Sequence, residues 1–128
     1  MINRYNWLTM VAALAAIGAA TSGAARAADA VAGEAVFKSQ CSICHSVQPG
    51  RNQVGPSLAG VVGRTAGQVP GFHYSSANKN SDLTWDAATL DRYLTSPNAV
   101  VPKTTMTYGG LRDADKRANL IAYLSTLH

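Results

Sequence analysis

The spacing of hydrophobic residues predicts three helices after residue 28 of the chain. The first is predicted over residues 31–44, where apolar side chains recur at intervals of three and four and Asp29 is placed as an N-cap. The second is predicted over residues 86–95, and the third opens at Asp113. The apolar stripe of the third helix consists of Leu120, Ile121, Leu124 and Leu127.

The connection between the first two helices is long and shows no hydrophobic period. Residues 48–83 are punctuated by Pro49-Gly50, Gly55-Pro56 and Pro70-Gly71, all of which are typical of turns. A loop of this length in a compact domain is unusual unless it surrounds something functional. Because no stretch alternates like a strand, the pattern predicts an all-α domain with long loops.

The first 27 residues have the composition of an export signal. Arg4 is followed by an apolar stretch from about residue 7 to residue 20, and Ala25-Arg26-Ala27 offers an A-x-A cleavage site. An uncleaved membrane anchor is the alternative, but the apolar stretch is short and rich in alanine. We therefore expect a cleaved signal peptide at residues 1–27 and a single domain at residues 28–128.

The segment Cys41-Ser42-Ile43-Cys44-His45 has the pattern of a c-type haem attachment site. Both cysteine sulfurs could form thioether bonds to one haem, and His45 could be an axial ligand of its iron. A redox-active dithiol normally opens the helix of a βαβ unit, but no strand pattern precedes Cys41. A zinc site would need four ligands at closer spacing. A buried structural disulfide between Cys41 and Cys44 remains the alternative interpretation of this motif.

A second axial ligand must come from a short inventory. Met106 is the only methionine after residue 27, and the other histidines are His73 and His128. A single methionine in a loop is more often a core residue. Met106, however, follows a proline-bearing stretch well beyond the motif, and His/Met ligation would favour electron transfer over oxygen chemistry.

The charge of the chain changes once the signal is removed. The full sequence of 128 residues has a net charge of +4, from 11 Lys and Arg against 7 Asp and Glu. Loss of Arg4 and Arg26 lowers this to +2, and two haem propionates would offset the remainder. A role in nucleic-acid binding therefore gains no support.

Taken together, these motifs resemble class I cytochrome c, the mitochondrial electron carrier and its bacterial periplasmic relatives. The resemblance extends from Gly33 to Leu124. Gly33 and Phe37 match the N-terminal helix positions that cross the C-terminal helix, and Pro56 matches the proline whose carbonyl accepts the proton of the proximal histidine. The resemblance implies the cytochrome c fold, with three main helices and long loops around one covalently bound haem.

The same resemblance assigns further site residues. Propionate contacts fall to Arg64, Tyr74, Ser75, Asn78 and Trp85. Tyr93 matches the aromatic residue near the ligating sulfur. The methionine loop contains Pro102, Thr104 and Met106, followed by Tyr108 where the family usually has phenylalanine. The implied haem contacts are therefore Cys41, Cys44, His45, Pro56, Arg64, Tyr74, Ser75, Asn78, Trp85, Tyr93, Thr104 and Met106.

The chain departs from the family in the lysines that usually surround the exposed haem edge. Asn98, Ala99 and Thr105 stand where lysines are expected. The remaining candidates are Lys38, Lys79 and Lys103. This departure weakens the expectation of docking on strongly acidic partners.

These observations predict an electron-transfer protein rather than an enzyme. We expect a periplasmic, monomeric carrier with one haem c, without stable membrane insertion after cleavage. Its expected partners are redox proteins of a respiratory or photosynthetic chain, such as reductase or oxidase complexes, a reaction centre or a dehydrogenase. The alternatives are a haem subunit of a dehydrogenase or oxidase complex, and a peroxidase or sensor in which Met106 is labile.

Overall fold

The computed structural model describes residues 27–128, and its regular structure there consists of helices joined by long loops. The three longer helices are α1 (Ala30–Gln40), α3 (Ala87–Thr95) and α5 (Ala114–Leu124). Two four-residue helices, α2 (Ser76–Lys79) and α4 (Pro97–Val100), lie in the connections. The all-α prediction is confirmed, since the described part adds only one isolated bridge, between Thr65 and Thr84.

Each longer helix begins next to an aspartate that caps it. The carboxylate of Asp29 accepts hydrogen bonds from the amides of Val31 and Ala32. Asp86 accepts from the amide of Thr89 at 2.7 Å and Asp113 from that of Lys116 at 3.0 Å. These bonds satisfy amides that have no partner within the first turn of a helix. Asp86, predicted as the first residue of its helix, is therefore its cap.

The first helix ends four residues before the predicted end at Cys44. The amides of Cys41 and Ser42 both donate to the carbonyl of Phe37, at 2.8 and 3.0 Å. The amides of Cys44 and His45 then both donate to the carbonyl of Cys41. Converging bonds of this kind close a helix, so the Cys-x-x-Cys-His segment forms tight turns that continue from α1.

The terminal helices α1 and α5 pack closely at Gly33. A Cβ atom on Gly33 would lie 1.8 Å from the carbonyl oxygen of Asn119 in α5. Beside this contact, the rings of Phe37 and Tyr123 have centroids 5.5 Å apart. The expectation that Gly33 allows the close approach of another backbone is correct, and the crossing fixes the position of the turns that follow α1.

The long loop is held by backbone hydrogen bonds to the segment before α3. Trp85 donates its amide to the carbonyl of Arg64 at 2.9 Å and accepts from the amide of Gly63 at 2.9 Å. A third bond joins Ala66 to Leu83 at 2.8 Å. These bonds bring residues 63–66 against Trp85, which is buried. Within residues 27–128, the longest helices have 11 residues, too few to cross a membrane.

Candidate haem site

The loops and helices surround one cavity of about 420 Å³, within the range of small-molecule and cofactor sites. Its walls include core side chains of α3, of α5 and of the long loop. The apolar lining includes Leu58, Val61, Leu90, Leu94, Leu120 and Leu124. Each of the twelve residues expected to contact haem also lines it: Cys41, Cys44, His45, Pro56, Arg64, Tyr74, Ser75, Asn78, Trp85, Tyr93, Thr104 and Met106.

The two cysteines lie at the cavity wall as free, partly buried thiols. Burial and, to a smaller extent, the charge of Cys44 raise the pKa of Cys41 to about 11. Redox-active Cys-x-x-Cys pairs depend on a lowered thiol pKa, so the environment of Cys41 does not favour dithiol chemistry. No cluster of three or more potential metal ligands among His, Cys, Asp and Glu occurs in residues 27–128.

His45 is held in one orientation by a backbone carbonyl. Its Nδ1 lies 2.8 Å from the carbonyl oxygen of Pro56. Because a carbonyl can only accept, Nδ1 carries the proton and Nε2 keeps a free lone pair. Burial lowers the pKa of His45, the hydrogen bond to Pro56 opposes this effect, and the charge of Arg64 lowers it further. The result is a neutral imidazole, the form that binds iron.

Gly55 allows this close contact between His45 and the loop. A Cβ atom at residue 55 would lie 2.2 Å from Cε1 of the imidazole. The amide of Gly55 also donates to the carbonyl of Cys44 at 2.8 Å. Gly55 therefore leaves room for the imidazole ring, and the backbone of Gly55 and Pro56 bonds to Cys44 and His45.

The sulfur of Met106 accepts a hydrogen bond from the hydroxyl of Tyr93, with a distance of 3.5 Å between the atoms. The amide of Met106 donates to the hydroxyl of Thr104 at 3.2 Å. Burial raises the pKa of Tyr93, and Thr104 partly offsets the rise. The phenol therefore stays protonated and remains a donor to the sulfur.

Another part of the wall combines a cation with polar groups. Arg64 donates to the carbonyls of Ala59 and Ser57, at 3.0 and 3.1 Å. Burial lowers the pKa of Arg64, and Tyr74 partly offsets this. The side-chain oxygen of Asn78 is buried without a hydrogen-bond partner. A buried amide group without a partner costs about 1–3 kcal/mol, which suggests that this wall meets a polar group.

The residues that line the cavity fit a flat, apolar cofactor that carries acidic substituents and an iron atom. Two thiols, a neutral imidazole and a thioether all line the same cavity. Arg64 and the side-chain amide of Asn78 can donate hydrogen bonds to carboxylates. For Asn78, a flip of the side-chain amide exchanges its nitrogen and oxygen and places the N–H donors where the oxygen now lies. The fold and the site therefore define a class of protein that binds haem covalently and transfers electrons.

Comparison with known proteins identifies the family. The family described as Cytochrome c matches residues 30–128, and this chain belongs to it. Cytochrome c2 from Rhodomicrobium vannielii is 53% identical over 119 residues, which cover 90% of this chain and 94% of that protein. Cytochrome c2 from Rhodoblastus acidophilus is 54% identical over 100 residues, which cover 77% and 92%.

A solved structure agrees with these sequence relatives. Cytochrome cH from Methylobacterium extorquens superposes with a TM-score of 0.72 and 45% identity, covering 77% of this chain and 98% of that one. The predicted family and the cytochrome c fold are confirmed. The protein is an electron carrier with a covalently attached haem c, and not an enzyme.

The structure adds features of the cavity that the sequence analysis did not single out. Ile43 and Val54 both line the cavity, yet they are 85% and 78% exposed. They lie where the cavity meets the surface. Among residues 27–128, Arg64 is the only lining residue with a Lys, Arg, Asp or Glu side chain. Gln40, Thr105 and Thr107 also line the cavity and are exposed, so the mouth combines apolar and uncharged polar side chains.

Proposed function

We propose that this protein is an exported, monomeric carrier that moves one electron at a time between redox proteins, with His45 and Met106 as the axial ligands of its haem iron. The single observation that best supports this proposal is the pairing within one cavity of a neutral imidazole and a thioether. The imidazole is oriented by Pro56, and the thioether is hydrogen-bonded by Tyr93.

The haem supplies the one-electron chemistry, and the side chains around it set its reduction potential and access. The bond from His45 to Pro56 increases the basicity of the imidazole. A thioether ligand from Met106 raises the reduction potential. If His45 and Met106 both bind the iron, they would leave no position for oxygen or peroxide, which favours a carrier over a peroxidase or a gas sensor.

We assign the contacts with the propionates to the polar wall formed by Arg64, Tyr74, Ser75, Asn78 and Trp85. Arg64 is fixed by two backbone carbonyls and keeps N–H groups for a carboxylate. Ser75 accepts from the amide of Asn78 at 3.1 Å and so caps α2. This cap fixes the backbone of Asn78, whose side chain lines the cavity. Burying the propionates against this wall would hold the haem in one orientation.

The uncharged mouth of the cavity, with Ile43 and Val54 exposed, indicates how a partner would dock. Three lysines remain around this region in the sequence, and Lys38 is already paired with Glu34 at 2.7 Å. Lys79 and Lys103 are exposed. Contact through Ile43 and Val54 would require an uncharged partner surface, because a buried charge without a partner is unfavourable. We infer docking on a respiratory or photosynthetic redox protein that depends more on apolar contact than on steering.

We also propose that residues 1–27 are a signal peptide, removed after export, and that residues 28–128 form the periplasmic protein. Most of this segment lies outside the described residues. Support comes from its sequence pattern and from the bacterial cytochrome c2 relatives. N-terminal sequencing of the protein purified from a periplasmic fraction tests this proposal, and a start at Met1 would refute it.

Covalent attachment and axial ligation are tested together by spectroscopy of variants. Haem should remain with the chain through acid–acetone extraction, and the double variant Cys41→Ala, Cys44→Ala should lose it. The oxidised protein should show the weak far-red band of sulfur-to-iron charge transfer, and Met106→Ala should abolish the band. His73 is exposed and does not line the cavity, so His73→Ala is the matched control.

The alternatives predict different results in the same experiments. Rapid binding of carbon monoxide by the reduced protein would indicate a labile Met106 and favour a sensor or a peroxidase. Co-purification in a stoichiometric complex would favour a subunit of a dehydrogenase or oxidase. Loss of the far-red band in His73→Ala, with its retention in Met106→Ala, would refute the proposed ligand pair.

A further inference from the structure

The loop that contains Met106 has little backbone support of its own. Within the described residues, no backbone–backbone hydrogen bond involves residues 105–110. The loop is fixed at its start, where the amide of Thr104 donates to the carbonyl of Val101 at 3.0 Å. It is fixed again at its end, where the amide of Leu111 donates to the carbonyl of Leu94 at 2.7 Å. Between these points, its position depends on side chains.

Tyr108 lies in the middle of this loop and is tied to the helix that leads into the attachment site. Its hydroxyl donates a hydrogen bond to Oε1 of Gln40, the last residue of α1. Gln40 directly precedes Cys41, and both Gln40 and Tyr108 line the cavity. The bond therefore connects the loop that presents Met106 to the segment that attaches the haem, across 68 positions of sequence.

We propose that the Tyr108–Gln40 hydrogen bond is a latch that holds the methionine loop closed and keeps Met106 in place. Tyr108 is thus a positioning residue, and the proposal rests on the proposed ligation by Met106. A phenylalanine at this position, which is usual in the family that the sequence resembles, could pack in the same place but could not form this bond. The hydroxyl is therefore the feature to test.

The latch acts on the equilibrium between Met106 and a competing ligand. Opening the loop breaks the Tyr108–Gln40 bond as well as the Tyr93–Met106 contact, so removing the latch makes opening easier. A neutral hydrogen bond corresponds to about 2- to 10-fold in an equilibrium constant. Because Gln40 is exposed to water, we expect the lower part of that range, about 2- to 5-fold.

The test is an imidazole titration of the oxidised holoprotein at constant pH, followed by loss of the far-red band. Tyr108→Phe and Gln40→Ala should each lower the apparent Kd for imidazole by about 2- to 5-fold. The double variant should resemble either single variant, because both remove the same bond. Tyr123→Phe is the matched control, since it removes a phenol that does not line the cavity, and it should leave the Kd unchanged.

The outcomes separate the latch from the proposed ligation. An unchanged Kd in Tyr108→Phe, or effects of the two single variants that add fully, would overturn the latch while leaving Met106 as the ligand. Absence of the far-red band in the unaltered protein would instead overturn the ligation itself. Urea unfolding of each variant completes the test. If the Kd for imidazole falls only in proportion to the unfolding midpoint, in Tyr123→Phe as well as in Gln40→Ala, and the effects of Tyr108 and Gln40 are not coupled, the cause is general destabilisation and the latch is overturned.

Discussion

Replacing Tyr93 by phenylalanine should lower the reduction potential of the haem. The Tyr93 hydroxyl donates to the sulfur of Met106, with 3.5 Å between the two atoms. If Met106 is the axial ligand, as proposed, this donation draws electron density from the sulfur and makes it a poorer donor to the oxidised iron. The oxidised state is thereby destabilised more than the reduced state, which raises the potential. Removing the hydroxyl removes that effect.

The size of the shift is limited by the strength of this hydrogen bond. A neutral hydrogen bond contributes about 0.5–1.5 kcal/mol, and sulfur is a weak acceptor, so about 1 kcal/mol is an upper bound for Tyr93. For a one-electron couple, a tenfold change is 59 mV and about 1.4 kcal/mol, so 1 kcal/mol corresponds to about 40 mV. Only the difference between the two oxidation states counts, and we therefore expect a fall of about 10–40 mV.

The assay is a potentiometric titration of the purified holoprotein at neutral pH. Tyr93 is 7% exposed, and phenylalanine fills nearly the same volume, so the far-red band should persist in Tyr93→Phe. Tyr123→Phe serves as the control because its ring lies against Phe37 rather than in the cavity. A higher potential in Tyr93→Phe, or an equal shift in the control, would show that donation to the sulfur does not set the potential in this way.

Three further predictions concern stability, ligand exchange and docking. Gly33→Ala should destabilise the protein by about 1–2 kcal/mol in urea unfolding, because overpacking against the backbone of Asn119 outweighs the higher helix propensity of alanine. Ala35→Gly, on the exposed face of α1, should lose about 1 kcal/mol from helix propensity alone. A Gly33→Ala variant more stable than the unaltered protein would contradict the packing argument. Lys103→Ala should raise the pH at which the far-red band disappears, since Lys103 lies three residues before Met106, with Lys79 a weaker competitor; an unchanged transition would exclude Lys103 as the alkaline ligand. The rate of stopped-flow electron transfer to an acidic redox partner should fall less steeply with salt than it does for a lysine-rich relative, because Asn98, Ala99 and Thr105 leave fewer charges for salt to screen. An equally steep fall would contradict docking through the uncharged mouth.

The helices were predictable because each has a local signal in the sequence. Aspartates 29, 86 and 113 precede the three longer helices, and each of them caps its helix in the structure. The end of α1 was less predictable. The periodic apolar pattern continues through Cys41 and Cys44, but hydrogen bonds to the carbonyl of Phe37 close the helix before them. Hydrophobic spacing alone does not reveal where such bonds form.

The cavity was predictable only where a motif marks it. Cys41, Cys44 and His45 follow from their spacing, and the loop residues around Arg64 and Trp85 followed from the family resemblance. Val61 and Leu58 line the cavity but lie in a loop with no period, so no sequence pattern pointed to them. The bond between Tyr108 and Gln40 joins residues far apart in the chain and depends on the fold as a whole.

The contact between Gly33 and Asn119 also bears on the order of events during biogenesis. These residues are 86 positions apart in the sequence, and closing a loop of that length costs about 4 kcal/mol of chain entropy. A chain that crosses a membrane from its N-terminus delivers Asn119 long after Gly33. If the chain is exported as proposed, α1 therefore has no partner helix during that interval, and the thiols of Cys41 and Cys44 would stay accessible for haem attachment before the two ends pack together.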